Sequence, residues 1–305
     1  MHALRTFSGK GRAVFVKRED ESGFGISGYK KRKYASLLPW LVQEGYTDVG
    51  LIGGMQSNHI SNILQLLNER GIHPHLFLKE RHQHVLKGNS LLTFLLADMD
   101  KVQFIPSKQW RDVEQLASDA LAFIPNSFLI PEGGSCMASL AGASTLLYDI
   151  LRNEERLGTI FQHIFIDSGT AWMAGALVHM NMILAQPKQI HVVMMAGDSA
   201  YFEKQLSEQA IGYMKLFGYQ APKPSHFQLY TPSTARSFGS VNRTILRFIQ
   251  SFARNEGVLT DPIYTAKLFY TAKHIIESQS LEGNILIIHS GGGIGLLGFA
   301  DRFSL

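Results

Sequence analysis

Apolar positions along this chain follow two alternating rhythms. Short runs rich in β-branched and aromatic residues recur about every 25 to 35 residues, with helix-period stretches between them. Candidate strands are Ala13–Val16, Val49–Ile52, His75–Leu78, Val102–Ile105, Ser127–Ile130, His163–Ile166, Ile190–Met195, Phe227–Tyr230 and Ile285–Ile288. Most are apolar on both faces, as strands covered by helices on each side are. The helical rhythm is clearest after Ser57, where Ile60, Ile63, Leu64 and Leu67 fall at i, i+3, i+4 and i+7. Ser57 is placed to cap that helix and Gly71 to end it. The alternation predicts an α/β protein with mainly parallel sheets, and 305 residues suit two packed units better than one.

Composition narrows the function classes. Hydrophobic residues make up 45% and charged residues 18%, enough apolar surface for a substantial core. The 29 basic residues exceed the 25 acidic ones too slightly to argue for nucleic acid. The single cysteine, Cys136, excludes a disulfide framework and a multi-cysteine zinc site, and suits a reducing compartment. Met1 to Arg5 lack the long apolar run of a signal peptide. The best spanning candidate, Trp172 to Ala185, contains His179 and Asn181 and is too short. A cytoplasmic protein without membrane or nucleic-acid partners is expected. No repeat or linker divides the chain, and the polar stretch Pro232 to Ser240 reads as a loop over a site.

Four segments carry candidate chemistry. Gly28-Tyr29-Lys30-Lys31-Arg32-Lys33 is either a solvated anion-binding face or the seat of a desolvated lysine. Burial and neighbouring cations depress a lysine's proton affinity and make its amine a nucleophile. Gly53-Gly54-Met55-Gln56-Ser57-Asn58-His59 leaves the C-terminal end of a strand and opens a helix, where ligands of parallel sheets bind. Asp167-Ser168-Gly169-Thr170-Ala171 occupies an equivalent place, and its small residues let backbone N–H groups approach an anion. Gly293, Gly295 and Gly298 match a dinucleotide fingerprint, but only seven residues follow, too few for the unit that motif needs. Those glycines instead let the backbone approach another ligand. His73, His75, His82 and His84 lack a carboxylate or cysteine in a recognised ligand spacing, so no metal is expected. Cys136 in its apolar context reads as packing.

In this order the segments resemble the 1-aminocyclopropane-1-carboxylate deaminase / D-cysteine desulfhydrase family, pyridoxal-phosphate enzymes of the tryptophan-synthase-β fold type. Lys17-Arg18-Glu19-Asp20 through Ser27-Gly28-Tyr29-Lys30-Lys31-Arg32-Lys33 resembles that family's K-R-x-D…G-G-N-K-x-R-K. Gly54-Met55-Gln56-Ser57-Asn58-His59 matches G-x-Q-S-N-H, and His289-Ser290-Gly291-Gly292 matches H-x-G-G. Glu256-Gly257-Val258-Leu259-Thr260-Asp261-Pro262-Ile263-Tyr264-Thr265-Ala266-Lys267 matches E-G-[IV]-L-x-D-P-V-Y-x-G-K.

The resemblance implies two three-layer α/β/α units with the cofactor in the cleft between them. A smaller unit of residues 34–149 would be inserted into a larger one of residues 1–33 plus 150–305. It implies pyridoxal 5'-phosphate anchored on Lys30, with Asn58 on the 3-hydroxyl. Lys33 and the Ser168, Gly169, Thr170, Ala171 turn would hold the phosphate. Thr265 would face the pyridine nitrogen, with Ser290 and Gly291 alongside. Lys30, Ser57 and Tyr264 would be catalytic, and Ser57, Asn58, His59, Phe238 and Tyr264 would meet the substrate. Ring-opening deaminases of the family carry Glu and Leu where this chain has Thr265 and Ser290, so hydroxyls there imply β-elimination from D-cysteine or an analogue. A homodimer is implied too. Tyr29 replaces the usual Asn, Phe238 replaces a tyrosine, and Ala171, Trp172 and Met173 replace glycine or threonine. These departures leave ring-opening deamination, racemisation and a non-catalytic cofactor-binding role as alternatives.

Overall fold

The computed structural model describes residues 1–23, 25–80, 86–218 and 222–303. His82 and His84 lie outside the described residues; His75 bonds Asp48 at 2.8 Å. The first part of the chain runs β1 (His2–Ala3), β2 (Arg12–Arg18), α1 (Lys30–Gln43), β3 (Asp48–Gly54), α2 (Asn58–Asn68) and β4 (His73–Lys79). It continues with α3 (Asn89–Leu96), β5 (Val102–Ile105), α4 (Val113–Leu121), β6 (Ser127–Ile130) and α5 (Leu140–Leu157). Then come β7 (His163–Ser168), α6 (Trp172–Ile183), β8 (Gln189–Met194), α7 (Ser199–Phe217) and β9 (Phe227–Tyr230). The last elements are α8 (Arg243–Glu256), α9 (Thr265–Ser278), β10 (Gly283–His289) and the short α10 (Gly293–Leu297).

Among these residues there are two sheets. One has the order β1-β2-β10-β7-β8-β9 and the other β5-β4-β3-β6. Every pairing is parallel except β1 with β2. Each apolar run read from the sequence falls on one of these strands, with Met195 one residue past the end of β8. The two-residue β1 has no such signature, being too short to show a period.

The larger sheet is buried on both faces. Leu286 and Ile288 join the core beneath α5, α6 and α7, while Ile285 and Ile287 join the core with Phe252, Leu268 and Phe269 from α8 and α9. A fully buried aliphatic side chain of this kind contributes roughly 1.5–3 kcal/mol. Trp172 to Asn181 of α6 are buried all round, because helices cover it on the side away from the sheet. Some of its polar groups find partners inside the fold: His179 Nε2 lies 2.9 Å from the Leu206 carbonyl, and Asn181 Nδ2 donates to that of Lys188. No described helix is long and apolar enough to cross a membrane.

Two devices fix α1 where it begins. Gly142 in α5 lets the helices touch, since a Cβ there would stand 1.9 Å from the Arg32 carbonyl oxygen. Lys17 and Arg32 both reach Asp149, at 2.5 and 2.6 Å, and both reach Glu19. The Lys17-Arg18-Glu19-Asp20 run is therefore a charge cluster tying β2, α1 and α5 together. Arg18 grips Asp20, which in turn lies 3.3 Å from His289 Nδ1.

Candidate active site

Segments leaving the C-terminal ends of β2, β3, β7 and β10 converge on one cavity. Ser27, Lys30, Asn58, Asn62, Asp167, Tyr264, Ser290, Gly291 and Gly292 line it. Within each sheet the parallel strands bring their C-terminal ends to one edge, β2, β7 and β10 from the larger sheet and β3 from the smaller.

Lys30 opens α1 and is positioned by a crossing of two backbones. Gly28 has φ +90°, and a Cβ on it would stand 2.2 Å from the Ser290 carbonyl oxygen, which accepts the Tyr29 N–H at 3.1 Å. Only glycine fits that crossing. Desolvation lowers the proton affinity of Lys30 below its ordinary value, against the opposing pull of Asp167 and Asp261. Its Nζ lies 5.4 Å from the Tyr264 ring centroid. Burial, helped by Asp261 and Asp167, pushes the Tyr264 phenol up, so it stays protonated.

Lys33, one turn on, is also drawn down, to about 7, by burial and by the charge of Lys30. Its Nζ donates to the Gly133 carbonyl and does not line the cavity. Geometry, rather than acidity, separates the two lysines.

Asn58 begins α2. Its Oδ1 accepts from Asn89 Nδ2 at 2.6 Å, which turns its own Nδ2 donor toward Gly292. Asn62 Nδ2 donates to the Ser27 carbonyl and braces the approach to Lys30. Ser57 is the cap of α2, its hydroxyl accepting from the N–H groups of His59 and Ile60 at 3.2 and 3.3 Å. That leaves the Ser57 hydroxyl proton to donate and makes its oxygen a weak base. His59 is buried and neutral, its proton affinity lowered well below the ordinary value by desolvation and by Lys33 and Lys30. Its Nδ1 meets the Tyr34 hydroxyl at 2.9 Å, and its Nε2 has no partner among the described residues.

The turn from β7 into α6 presents a helix N-terminus. Ser168 ends the strand, and Gly169 packs against Tyr264, whose Cε1 would stand 3.3 Å from a Cβ there. Thr170 Oγ1 accepts from the Ser135 hydroxyl at 2.8 Å, while Gly133 packs so closely that a Cβ on it would meet the Thr170 side chain at 2.7 Å. Ala171, the cap of α6, is left-handed at φ +62°, a conformation that costs an alanine about 1–2 kcal/mol. An anion at this turn would meet the positive end of a 12-residue helix.

Besides Lys33, three placements differ from the sequence reading. Thr265 is fully buried, with its hydroxyl 2.8 Å from Asp261 Oδ2 and accepting from the Asp261 N–H. It is spent on the start of α9 and does not line the cavity. Phe238 is 58% exposed and meets Tyr264 edge-on at 6.1 Å, at the mouth rather than inside. Asp167, which the sequence offered only as the first residue of a turn, is 1% exposed and forms part of the cavity wall. Asn89 was also missed, because its role depends on a contact 31 residues distant. Cys136 packs beside the core of the smaller sheet, and burial raises its thiol.

The donors present fit pyridoxal phosphate. A lysine of lowered proton affinity, an amide donor at Asn58, a helix N-terminus and a glycine wall at Gly291 and Gly292 match its aldehyde, hydroxyl, phosphate and ring. The side chains close on one another and leave a cavity of only about 10 Å³. A larger cavity of about 360 Å³ beside Phe7, Phe252, Tyr270 and Lys273 brings together no comparable donors.

The family described as pyridoxal-phosphate dependent enzyme matches residues 1–291. A protein of Pyrococcus abyssi provisionally named a 1-aminocyclopropane-1-carboxylate deaminase is 26% identical over 95% of this chain and 87% of its own length. A D-cysteine desulfhydrase of Serratia proteamaculans is 25% identical over 95% of this chain and 89% of its own. The crystal structure of an ACC deaminase homologue superposes with a TM-score of 0.86 at 23% identity, covering 98% of this chain and 91% of that one.

Proposed function

Because the chain belongs to the pyridoxal-phosphate dependent enzyme family, we propose that it is a lyase that removes a β-substituent from D-cysteine or a close analogue. D-cysteine and water would give pyruvate, ammonia and hydrogen sulfide. The observation that carries this reading is Lys30, an amine of lowered proton affinity facing a cavity shared with Asn58, Tyr264 and Ser290.

Pyridoxal phosphate, when bound, supplies the electron sink that makes an amino acid's α-proton removable. Lys30 would anchor it, and its amine, once displaced by the substrate amine, would take the α-proton. Desolvation suits it to that task by favouring the neutral form. Asn58 Nδ2 would bond the 3-hydroxyl, held outward by Asn89. The Ser168–Ala171 turn would seat the phosphate on the N-terminus of α6. Ser57 would donate its hydroxyl proton to the substrate carboxylate, while the protonated Tyr264 phenol would orient the substrate and supply a proton to the leaving group. The Ser290 hydroxyl in the cavity wall supports elimination.

A second reading, opening of the 1-aminocyclopropane-1-carboxylate ring to 2-oxobutanoate and ammonia, is favoured by the Asp167 carboxylate in the wall. A homodimer in the cytoplasm remains part of the proposal by resemblance, and light scattering reads its first half. The functional test is a panel of D- and L-cysteine, β-chloro-D-alanine and 1-aminocyclopropane-1-carboxylate, with keto acid and sulfide quantified. Pyruvate from D-cysteine is expected. Spectral changes without keto acid from any member would make this a binding protein.

A further inference from the structure

We infer that Asp167 is the acidic partner of the cofactor's ring nitrogen, so that in this chain a carboxylate at the end of β7 does what no residue at the start of α9 is free to do. The inference rests on the pyridoxal-phosphate reading of the site.

Three observations carry it. First, Asp167 shares the cavity wall with Lys30, Tyr264 and Ser290, and its carboxylate is almost wholly removed from solvent. Second, its Oδ1 has no hydrogen-bond partner among the described residues. Its Oδ2 meets the Tyr29 phenol at 3.3 Å, whose one proton is shared with the Asp167 main-chain carbonyl at the same distance, and the Ser290 hydroxyl is the other donor beside the carboxylate. A buried carboxylate with one oxygen left without a donor is costly. Third, the neighbouring acid does not share this deficit. Asp261 Oδ1 accepts from the N–H groups of Ile263 and Tyr264, and its Oδ2 from the Thr265 N–H and hydroxyl. That network also consumes Thr265.

Oδ1 is left to meet a donor that enters with the ligand. Lys30 is the cation that favours ionised Asp167, but it is also the residue that becomes the covalent anchor. A protonated pyridine nitrogen supplies one N–H and one positive charge, the complement of one ionised carboxylate, and such nitrogens pair with Asp in this chemistry. Tyr29 then acts as a positioning residue, holding Oδ2 while Oδ1 is offered to the cavity. Burial raises the Asp167 carboxyl to about 6, with the nearby Ser290 hydroxyl and Lys30 holding it down, so it is largely ionised at neutral pH. A carboxylate partner keeps the ring nitrogen protonated. The hydroxyl of Thr265 therefore no longer separates elimination from ring opening.

The test compares binding of pyridoxal phosphate with that of its 1-deaza analogue, in which CH replaces the ring nitrogen. Affinities are read by absorbance titration, without turnover, for the wild type, D167N, D167S and Y29F. The wild type should prefer the nitrogen-containing compound about 10- to 100-fold, the range for a charge-assisted hydrogen bond. D167N and D167S should bind both compounds about equally, and Y29F should keep most of the preference. No preference in the wild type would overturn the inference. So would a preference kept in D167N or D167S while both affinities fall together, the signature of a purely structural role. If neither compound binds the wild type, the cofactor reading fails as well, and that outcome is distinct from binding without discrimination. The two variants differ in size, and circular dichroism verifies that each folds before its affinities are compared.

Discussion

Replacing Asp167 by asparagine should stabilise the cofactor-free protein above neutral pH and leave it nearly unchanged in acid. The carboxyl is raised from 3.8 to about 6 by desolvation first, with Ser290 and Lys30 opposing and Asp261 adding to the rise. The folded state therefore binds this proton more tightly than the unfolded chain does. The group's contribution is fully favourable below about pH 4 and is lost as pH rises through 6. Each tenfold change in proton affinity is about 1.4 kcal/mol, so ionised Asp167 costs the fold on the order of 3 kcal/mol at pH 8. Asparagine keeps the volume and removes the charge. Urea unfolding of the cofactor-free wild type and D167N at pH 4, 6 and 8 should show a gap that opens with pH, with D167N the more stable. A gap independent of pH, or one favouring the wild type at pH 8, would refute the reasoning.

Three further outcomes follow from local geometry. Gly28→Ala should cost about 2–5 kcal/mol, from backbone overlap with Ser290 and a left-handed φ, whereas Gly45→Ala, with nothing within 4 Å, should cost only the conformational part; urea unfolding separates the two. Ala171→Gly should stabilise by several tenths to about 1 kcal/mol, because relief of the left-handed alanine exceeds the added chain entropy, again read by urea unfolding. Burial raises the Asp149 carboxyl, but Lys17 and Arg32 outweigh it and hold the group below 3.8. Its stabilisation is thus present above that value and lost as pH falls through the lower folded one, so Asp149→Asn should destabilise more at pH 7 than at pH 3 in thermal melts.

The central strands β3, β7, β8 and β10 were legible because both of their faces are buried, which writes an unbroken apolar run into the sequence. Ser57 was legible as a cap because capping is a local bond. Glycine-rich turns marked the ligand edge because close backbone approach excludes Cβ, as the crossing of Gly28 with Ser290 shows. Other features depend on partners far along the chain. Asp167 and Tyr29 meet across 138 residues, and nothing near Asp167 announces that its carboxylate is buried without a full set of donors. Thr265 could be assigned to a ligand from its motif, but Asp261 four residues earlier competes for the same hydroxyl. The Lys17–Asp20 run read as part of a chemical motif, while its charges are neutralised by Arg32 and Asp149 from two helices.

Lys30, rather than the more deeply buried Lys33, is the reactive amine of a pyridoxal-phosphate site. Borohydride reduction of the protein incubated with pyridoxal phosphate, followed by fragmentation mass spectrometry of its peptides, tests this directly. A reduced pyridoxyl adduct on Lys30 that disappears in Lys30→Ala is expected. An adduct on Lys33, or no adduct on either lysine, would contradict it.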